Sequence, residues 1–244
     1  MPVKGYSVNR EIVLIPGGAA FVVPEKVLVV ADLHLGYEAV LEYEGLTVPR
    51  VQTPKLEKYM RSITEETKPC KIVVAGDLKH NFSRNLDQEW GDVSRFVHFL
   101  ADLAPLEVVK GNHDNYLASI LAELKVPLSN ELMVGDVRVV HGHSGKLTEH
   151  MTIMGHIHPA IRLKDTIGAS LKDHCFLYER SSRTLVLPAL SILASGTDVI
   201  GQSFSDRISP LLSERGLSGF VPIVFSGKKA LSFPTVGEMR ESAV

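Results

Sequence analysis

Five short groups of Asp, Asn and His residues occur along this sequence, and their side chains are of the types that bind metal ions. The groups are Asp32-Leu33-His34, Gly76-Asp77-Leu78-Lys79-His80, Gly111-Asn112-His113-Asp114, His141-Gly142-His143 and Gly155-His156-Ile157-His158. Six of the ten histidines lie between His113 and His158. Carboxylate and amide oxygens together with imidazole nitrogens suit manganese, iron or zinc, and they suit calcium poorly. These residue types therefore predict a site for first-row divalent ions.

Each group directly follows a short apolar run, which predicts that buried strands position the chemistry. The runs cover residues 27–31, 71–75, 106–109, 137–140 and 152–154. Helical patterns lie between them at about 53–66, 88–103 and 116–124. Strands that alternate with helices indicate an α/β fold with a central sheet of parallel βαβ units. Because ligands bind at the carboxyl ends of such strands, we expect all five groups at a single sheet edge.

The remaining sequence predicts additional β-structure around this core. A Pro-Gly-Gly turn between two apolar runs predicts an N-terminal hairpin over residues 11–23. Beyond residue 174 two further hairpins are expected, at 176–187 and 220–233, with 203–214 either helical or irregular. We expect one domain over residues 1–244, with a motif-bearing core at 27–160, a β-rich part at 174–233 and a loose tail at 234–244.

Composition excludes several classes of protein. The chain has 244 residues, is 45% hydrophobic and carries a net charge of -2, which argues against a broad basic face that coats nucleic acid. Two cysteines without a CxxC pair favour a reducing, cytoplasmic location over a disulfide framework. The N-terminus lacks the apolar segment of a signal peptide, and no apolar run approaches the ~20 residues of a membrane span. We therefore expect no membrane association.

Taken in this order, the five groups resemble the motifs of the calcineurin-like metallophosphoesterases. The resemblance covers about residues 27–160. The strings ADLHLGY, GDLKH and GHIHP are most similar to the SbcD-type nuclease branch, and LVLPALSILASGTDV at 185–199 is similar to a small SbcD-related, DNA-ligase-associated subgroup. The resemblance implies a four-layer α/β/β/α sandwich, in which helices flank two mixed sheets.

The resemblance also implies a role for each candidate residue. It assigns one metal ion to Asp32, His34 and His158, and a second to Asn112, His141 and His156, with Asp77 bridging both through one oxygen for each ion. The two ions, manganese first with iron, zinc or nickel as alternatives, would share a hydroxide that attacks phosphorus. His113 would be the general acid and Asp114 would orient it.

For each of two further histidines, two interpretations have equal weight. His80 lies either near the scissile phosphate or on an ordinary loop, and His143 either supports the neighbouring ligand His141 or is an ordinary residue. The three others, His98, His150 and His174, are expected to be packed or solvated residues.

The leading hypothesis is hydrolysis of a phosphodiester, with a phosphomonoester as the lesser option, and a nuclease or DNA-repair role is one form of it. The substrate is expected to be a small molecule or nucleic acid. Because no large basic surface is expected, a single-stranded segment is favoured. A homodimer is a further expectation. The alternative is a catalytically silent scaffold that keeps the fold and binds proteins. The intact ligand set disfavours that scaffold, and the Asn and bridging Asp disfavour a purely structural zinc site.

Overall fold

The computed structural model describes residues 3–80, 87–164, 167–201 and 209–242. Its strands are β1 (Tyr6–Ser7), β2 (Ile12–Ile15), β3 (Ala19–Val22), β4 (Val27–Val30), β5 (Lys71–Ala75), β6 (Leu106–Val109), β7 (Leu128–Ser129), β8 (Glu131–Val134), β9 (Val137–Val140), β10 (Met151–Met154), β11 (Pro159–Lys164), β12 (Ser170–His174), β13 (Phe176–Glu179), β14 (Thr184–Val186), β15 (Thr197–Asp198), β16 (Val221–Ser226) and β17 (Lys229–Ser232). Its helices are α1 (Tyr37–Tyr43), α2 (Gln52–Thr67), α3 (Asp87–Leu103), α4 (Leu117–Glu123) and α5 (Val236–Ser242), with a 3-10 helix at Pro210–Leu212.

Most of these strands form two mixed sheets. The first sheet has the order β1-β2-β3-β4-β5-β6-β7 and is parallel from β4 to β7. The second has the order β17-β16-β13-β14-β10-β9-β8, with β9, β10 and β14 parallel to one another. A third, three-stranded sheet has the order β12-β11-β15. Both large sheets thus carry a parallel block whose strands end on one side.

Strand β4 shows why its sequence is apolar at every position. Val27 and Val29 belong to the core between the two sheets, whereas Leu28 and Val30 belong to the core between the first sheet and its helices. Because successive side chains of a strand point to opposite faces, a strand buried on both faces needs apolar residues throughout. The continuous runs in the sequence therefore mark strands in the middle of the layers.

The layers agree with the predicted sandwich. Helices α2, α3 and α4 cover the outer face of the first sheet with side chains such as Met60, Phe96 and Leu121. The outer face of the second sheet packs against the 3-10 helix and α5, through Leu211 and Val236. Two mixed sheets with helices on their outer faces confirm the α/β/β/α architecture.

The expectation of a single sheet edge is wrong. Strands β4, β5 and β6, which precede the first three motifs, lie in the first sheet, whereas β9 and β10, which precede the last two, lie in the second. An apolar run identifies a buried strand, but it does not identify the sheet that the strand joins. The five motifs meet because the two parallel blocks end at the same side of the sandwich.

The expectation of a loose tail is also wrong, since helix α5 forms there. Thr235 and Glu238 cap its N-terminus: the Glu238 N–H donates to Thr235 Oγ1 at 3.3 Å, and the Thr235 N–H donates to Glu238 Oε2 at 2.8 Å. This reciprocal pair is a capping box, which the spacing Thr-x-x-Glu permits. Val236 is fully buried, so that packing holds this short helix in place.

The other peripheral predictions have mixed outcomes. The N-terminal hairpin is β2–β3, and the two later hairpins are β13–β14 and β16–β17. Of the undecided segment 203–214, residues 203–208 lie outside the described residues, and the described remainder contains the 3-10 helix. Within the described ranges, no helix has both the length and the apolar character required to cross a membrane.

Candidate metal centre and active site

Backbone hydrogen bonds hold the loops after β4 and β5 side by side. The N–H of Asp32 donates to the carbonyl of Gly76 at 3.1 Å, and the N–H of His34 donates to the carbonyl of Asp77 at 3.0 Å. Further along, the N–H of His80 donates to the carbonyl of Leu35 at 2.9 Å. The first two motifs are therefore in register beyond the ends of their strands.

Three further contacts join this region to the second sheet. The N–H of His156 donates to Asp32 Oδ2 at 2.9 Å. After β14 the chain crosses between the sheets, where the N–H of Leu190 donates to the carbonyl of Ala31 at 3.0 Å and that of Ser191 donates to the carbonyl of Asp32 at 3.1 Å. The two sheets are thus connected at the edge where the motifs meet.

The predicted first ligand set lies together. Atoms of Asp32, His34, Asp77 and His158 that can bind metal lie within 4.8 Å of one another. His158 Nε2 is 3.1 Å from His34 Nε2 and 3.4 Å from Asp32 Oδ1. Two atoms that share one ion at about 2.1 Å are separated by about 3.0–3.4 Å at angles near 90–110°. These separations therefore fit a common ion.

The predicted second set surrounds one nitrogen. His141 Nε2 lies 3.0 Å from Asn112 Oδ1, 3.2 Å from His156 Nδ1 and 3.4 Å from Asp77 Oδ2. The other ring nitrogen, Nδ1, lies 3.1 Å from the carbonyl of Ala75, the last residue of β5. That contact fixes the orientation of the ring and leaves Nε2 facing the other three groups.

Asp77 connects the two sets through a single oxygen. Its Oδ2 is 3.4 Å from His141 Nε2 and 4.0 Å from His34 Nε2, one residue in each set. Its Oδ1 accepts the N–H of His113 at 2.9 Å. The expectation of one oxygen for each ion therefore differs from the structure, in which Oδ2 faces both sets and Oδ1 holds the loop after β6.

Left-handed backbone is concentrated at these residues. Asp32, His34, Asp77, His156 and His158 all have positive φ, between 47° and 73°. Such a conformation costs a residue with a Cβ on the order of 1–3 kcal/mol, and it persists where the surrounding structure imposes it. The strain lies where side chains from sharp turns are brought together.

Steric crowding explains why three of the motifs contain glycine. A Cβ at Gly76 would collide with the His141 ring, one at Gly111 with the Asp77 carboxylate, and one at Gly155 with the Asp32 carboxylate. These three motifs therefore carry glycine because a ligand candidate from another loop occupies the space of a side chain.

Burial and charge oppose each other at the two carboxylates. Burial by itself raises the pKa of Asp32, but His158 and His141 outweigh this effect and lower it below the ordinary value. The pKa of Asp77 is likewise lowered, since the hydrogen bond and charge of His141 outweigh burial. Both groups are therefore ionised, and each requires positive charge nearby.

The histidines divide into two kinds. Burial lowers the pKa of His141 and His158, but Asp77 and Asp32 more than offset it, so that the pKa of His141 rises to about 9 and that of His158 also rises. For His34 burial dominates and lowers the pKa to about 3. The centre thus already favours positive charge beside its carboxylates and keeps a neutral imidazole at His34.

One buried oxygen tests whether the site fits a cation. Asp32 Oδ1 is buried and has no hydrogen-bond donor in the part of the chain that the structure describes. The nearest nitrogens, His158 Nε2 at 3.4 Å and His141 Nδ1 at 3.6 Å, supply charge but no hydrogen bond. A buried carboxylate oxygen that accepts no hydrogen bond is costly, and a bound divalent cation removes that cost. The position of this oxygen, the neutral imidazole of His34 and the spacing of both ligand sets all indicate that the site suits bound cations.

His113 lies at the open side of the centre, but Asp114 does not orient it. The side chain of His113 is 29% exposed, and its Nδ1 is 2.6 Å from the carbonyl of His80. The buried carboxylate of Asp114 instead accepts the N–H groups of Gly111 at 2.8 Å and Lys79 at 3.3 Å. The predicted role of Asp114 is corrected: it connects the loops after β5 and β6.

The two undecided histidines both lie at the centre. His80 Nδ1 is 3.4 Å from His34 Nδ1, on the side of His34 opposite its Nε2. Burial lowers the pKa of His80 to about 4. The ring of His143 lies 5.3 Å from that of His141 and 6.2 Å from that of His156. Both therefore flank ligand candidates.

Residues that support the centre have no signal in the sequence. Gln52, at the start of α2, donates from Nε2 to the carbonyl of His34 at 2.7 Å. Its Oε1 accepts the hydroxyl of Ser191 at 2.6 Å, and both residues are buried. Glu38 accepts the N–H groups of Val51 and Gln52 and so caps α2. These partners are far apart in the chain, so spacing does not reveal them.

Known proteins resemble this chain in sequence and structure. The model of a family described as calcineurin-like phosphoesterase matches residues 25–172. The crystal structure of Pseudomonas putida nuclease MPE is similar, with a TM-score of 0.64 and 17% identity, over 87% of this chain and 91% of that chain. Yfce, a phosphoesterase from E. coli, has a TM-score of 0.38 and 14% identity, over 70% and 83%. No curated protein matches this chain in sequence.

Proposed function

Because this chain belongs to the calcineurin-like phosphoesterases, hydrolases that act on ester bonds, we propose that it is a two-metal phosphodiesterase that acts on nucleic acid. The observation that carries the proposal is the position of Asp77 Oδ2 between two sets of metal-binding atoms. The first set is Asp32, His34 and His158, and the second is Asn112, His141 and His156.

The donor atoms support manganese as the metal. Carboxylate oxygens, an amide oxygen and four imidazoles form a mixed set that first-row divalent ions accept, and iron, zinc or nickel are alternatives. When bound, two such ions lower the pKa of a water molecule and neutralise charge on a phosphate. The ionised Asp77 and Asp32 offset part of the positive charge of these ions.

His113 is the proposed proton donor. Its Nδ1 lies against the carbonyl of His80, a contact that requires Nδ1–H and leaves Nε2 on the side of the centre, 3.9 Å from Asp77 Oδ2. An imidazolium at this position gives its Nε2 proton to the departing oxygen as the P–O bond breaks. The partial exposure of His113 and His158 supports entry of the substrate from their side.

A diester in nucleic acid is the proposed substrate class. One structure of similar fold is that of a nuclease, and the resemblance of the sequence strings to the SbcD-related branch favours the same substrate class and a role in DNA repair. The net charge of -2 argues for local contacts with a short or single-stranded segment rather than a broad basic surface.

The test measures metal content and hydrolysis in the same preparations. Wild-type protein reconstituted with manganese is expected to bind two ions per chain and to cleave bis-p-nitrophenyl phosphate and single-stranded DNA faster than p-nitrophenyl phosphate. His113→Ala is expected to keep both ions, to lose cleavage of single-stranded DNA and to retain most cleavage of bis-p-nitrophenyl phosphate, whose p-nitrophenolate leaves without a proton. Asp77→Asn is expected to lose metal binding and the cleavage of both diesters. His98→Ala, at an exposed position on α3, is the matched control and is expected to behave as wild type.

The outcomes separate the two candidate functions. A wild-type protein that binds both ions and cleaves none of the three substrates would support the catalytically silent scaffold. Faster cleavage of the monoester would overturn the diesterase assignment, and full activity in Asp77→Asn would overturn the bridging role.

A further inference from the structure

A stack of rings lies beside the candidate centre, and its outer member, Tyr37, has no role in the proposed chemistry. The ring of Tyr37 lies on that of His80, with a centroid distance of 3.7 Å and an interplanar angle of 16°. The ring of His80 is nearly parallel to that of His113, at 5.7 Å and 22°. The ring of His34 meets both imidazoles edge-on, with centroid distances of 5.2 Å.

The backbone holds Tyr37 and His80 together. Tyr37 is the first residue of α1 and follows Gly36, whose φ is 83°. The preceding residue, Leu35, donates its N–H to the carbonyl of Leu78 at 2.9 Å and accepts the N–H of His80 at 2.9 Å. The ring contact therefore joins two loops that the backbone already aligns.

Core packing does not explain the tyrosine. Among the described residues, Tyr37 belongs to none of the three apolar core clusters, and it is only partly buried. Its distinctive contact is the close, nearly parallel arrangement with His80. A ring in this position restricts rotation of the His80 side chain.

His80 in turn contacts His113: the carbonyl of His80 accepts the Nδ1–H of His113 at 2.6 Å. We propose that Tyr37 is a positioning residue: by packing on His80, it fixes the residue whose carbonyl orients His113 toward the leaving oxygen. The inference rests on the proposed function, because it concerns the proton donor of that reaction.

Leaving groups of different basicity provide the test. Tyr37→Leu is expected to lower kcat about tenfold on a dinucleoside monophosphate, whose alkoxide needs a proton, since general acid catalysis contributes about 10²–10⁴ in total. On bis-p-nitrophenyl phosphate, whose p-nitrophenolate leaves without a proton, the change is expected to stay within about twofold. Tyr37→Phe keeps the ring and is expected to match wild type on both substrates.

Tyr43→Leu is the matched control, because Tyr43 ends the same helix and is 70% exposed. An equal loss on both substrates, loss of bound metal in Tyr37→Leu, or a Tyr37→Phe variant as impaired as Tyr37→Leu would each show a role other than positioning.

A readout independent of turnover separates this inference from the proposed function. Imidazole ¹⁵N spectra of wild type are expected to show a hydrogen-bonded Nδ1–H on His113, retained in Tyr37→Phe and shifted in Tyr37→Leu. An unchanged His113 signal in Tyr37→Leu overturns the inference even if the enzyme is a diesterase. A shifted signal in a protein that cleaves no ester supports the positioning contact and overturns the function.

Discussion

Asp77 Oδ2 lies 3.4 Å from His141 Nε2, although Asp77 follows a strand of the first sheet and His141 follows a strand of the second. The centre therefore spans the seam of the sandwich, and it depends on how closely the loops of the two sheets approach. Gly76, which directly precedes Asp77, has the His141 ring in the space that a Cβ would occupy.

A methyl group at Gly76 should separate the two sheets at this point. Gly76→Ala is expected to lose metal binding and to destabilise the protein by several kcal/mol more than Gly45→Ala. Both glycines have a φ of +88°, but a Cβ at Gly45 meets nothing within 4 Å. The backbone penalty, about 1–2 kcal/mol, is therefore common to both variants, and the difference isolates the collision. Urea unfolding and metal content are measured for both variants, and equal losses in the two would contradict the predicted collision.

Metal affinity should rise with pH. The pKa of His141 is raised to about 9, so it carries a proton at pH 7 that a metal ion must displace, and the pKa of His158 is raised as well. Binding is therefore expected to release protons at pH 7 and to strengthen as pH rises toward about 9. Calorimetry of manganese binding in buffers of different ionisation enthalpy measures the release. An affinity independent of pH between 6.5 and 8.5 would refute the assignment of His141 as a ligand.

Gln52 and Ser191 should act as one unit beneath His34. Gln52→Ala leaves the His34 carbonyl and the Ser191 hydroxyl without their contacts to Gln52 in the interior, which costs about 1–3 kcal/mol. The double variant Gln52→Ala/Ser191→Ala is expected to lose less stability than the sum of the single variants, because they share one contact. Lys58→Ala, at an exposed position on α2, is the control. Additive losses would show that the pair is not coupled.

Asp114 should give metal-free protein a specific pH dependence. Burial and the charge of Asp77 raise its pKa to about 6, so the folded state holds its proton at pH values where the unfolded chain has lost it. The contribution of Asp114 is therefore fully present below about pH 4 and is lost as pH rises to about 6. The free energy of unfolding of wild type minus that of Asp114→Asn is expected to decrease over this range. Urea unfolding without metal measures both values, and an increase of this quantity with pH would contradict the sign.

Much of the fold follows from local patterns. Strands such as β4 and β5 are apolar at almost every position because both their faces are buried, and that pattern is visible in the sequence. The helical pattern of the sequence predicts a helix at about 53–66, and helix α2 forms at Gln52–Thr67. The hairpin β11–β12 and the two-residue strands were missed, since they are short, polar or exposed and carry no comparable periodicity.

The distribution of strands between sheets could not be predicted in this way. The runs that form β6 and β9 look alike, yet they lie in different sheets. Pairing depends on which neighbours a strand packs against after the chain has turned, and those contacts join residues far apart in sequence. Asp114 illustrates the same limit: its proximity to His113 in the chain suggested a partnership, whereas its carboxylate turns to the buried backbone N–H groups of Gly111 and Lys79.

The sequence by itself determined where the candidate donors lie, because the type of each donor and its place after an apolar run are local properties. The resemblance of these groups to metallophosphoesterase motifs implies seven of them as ligands, and the fold brings all seven together: Asp32, His34, Asp77, Asn112, His141, His156 and His158. Only the tertiary structure decided that Asp77 Oδ2 faces both sets, that Gln52 supports His34 and that Tyr37 packs on His80. These relationships depend on distances between loops of two sheets, and the packing of the sandwich sets those distances.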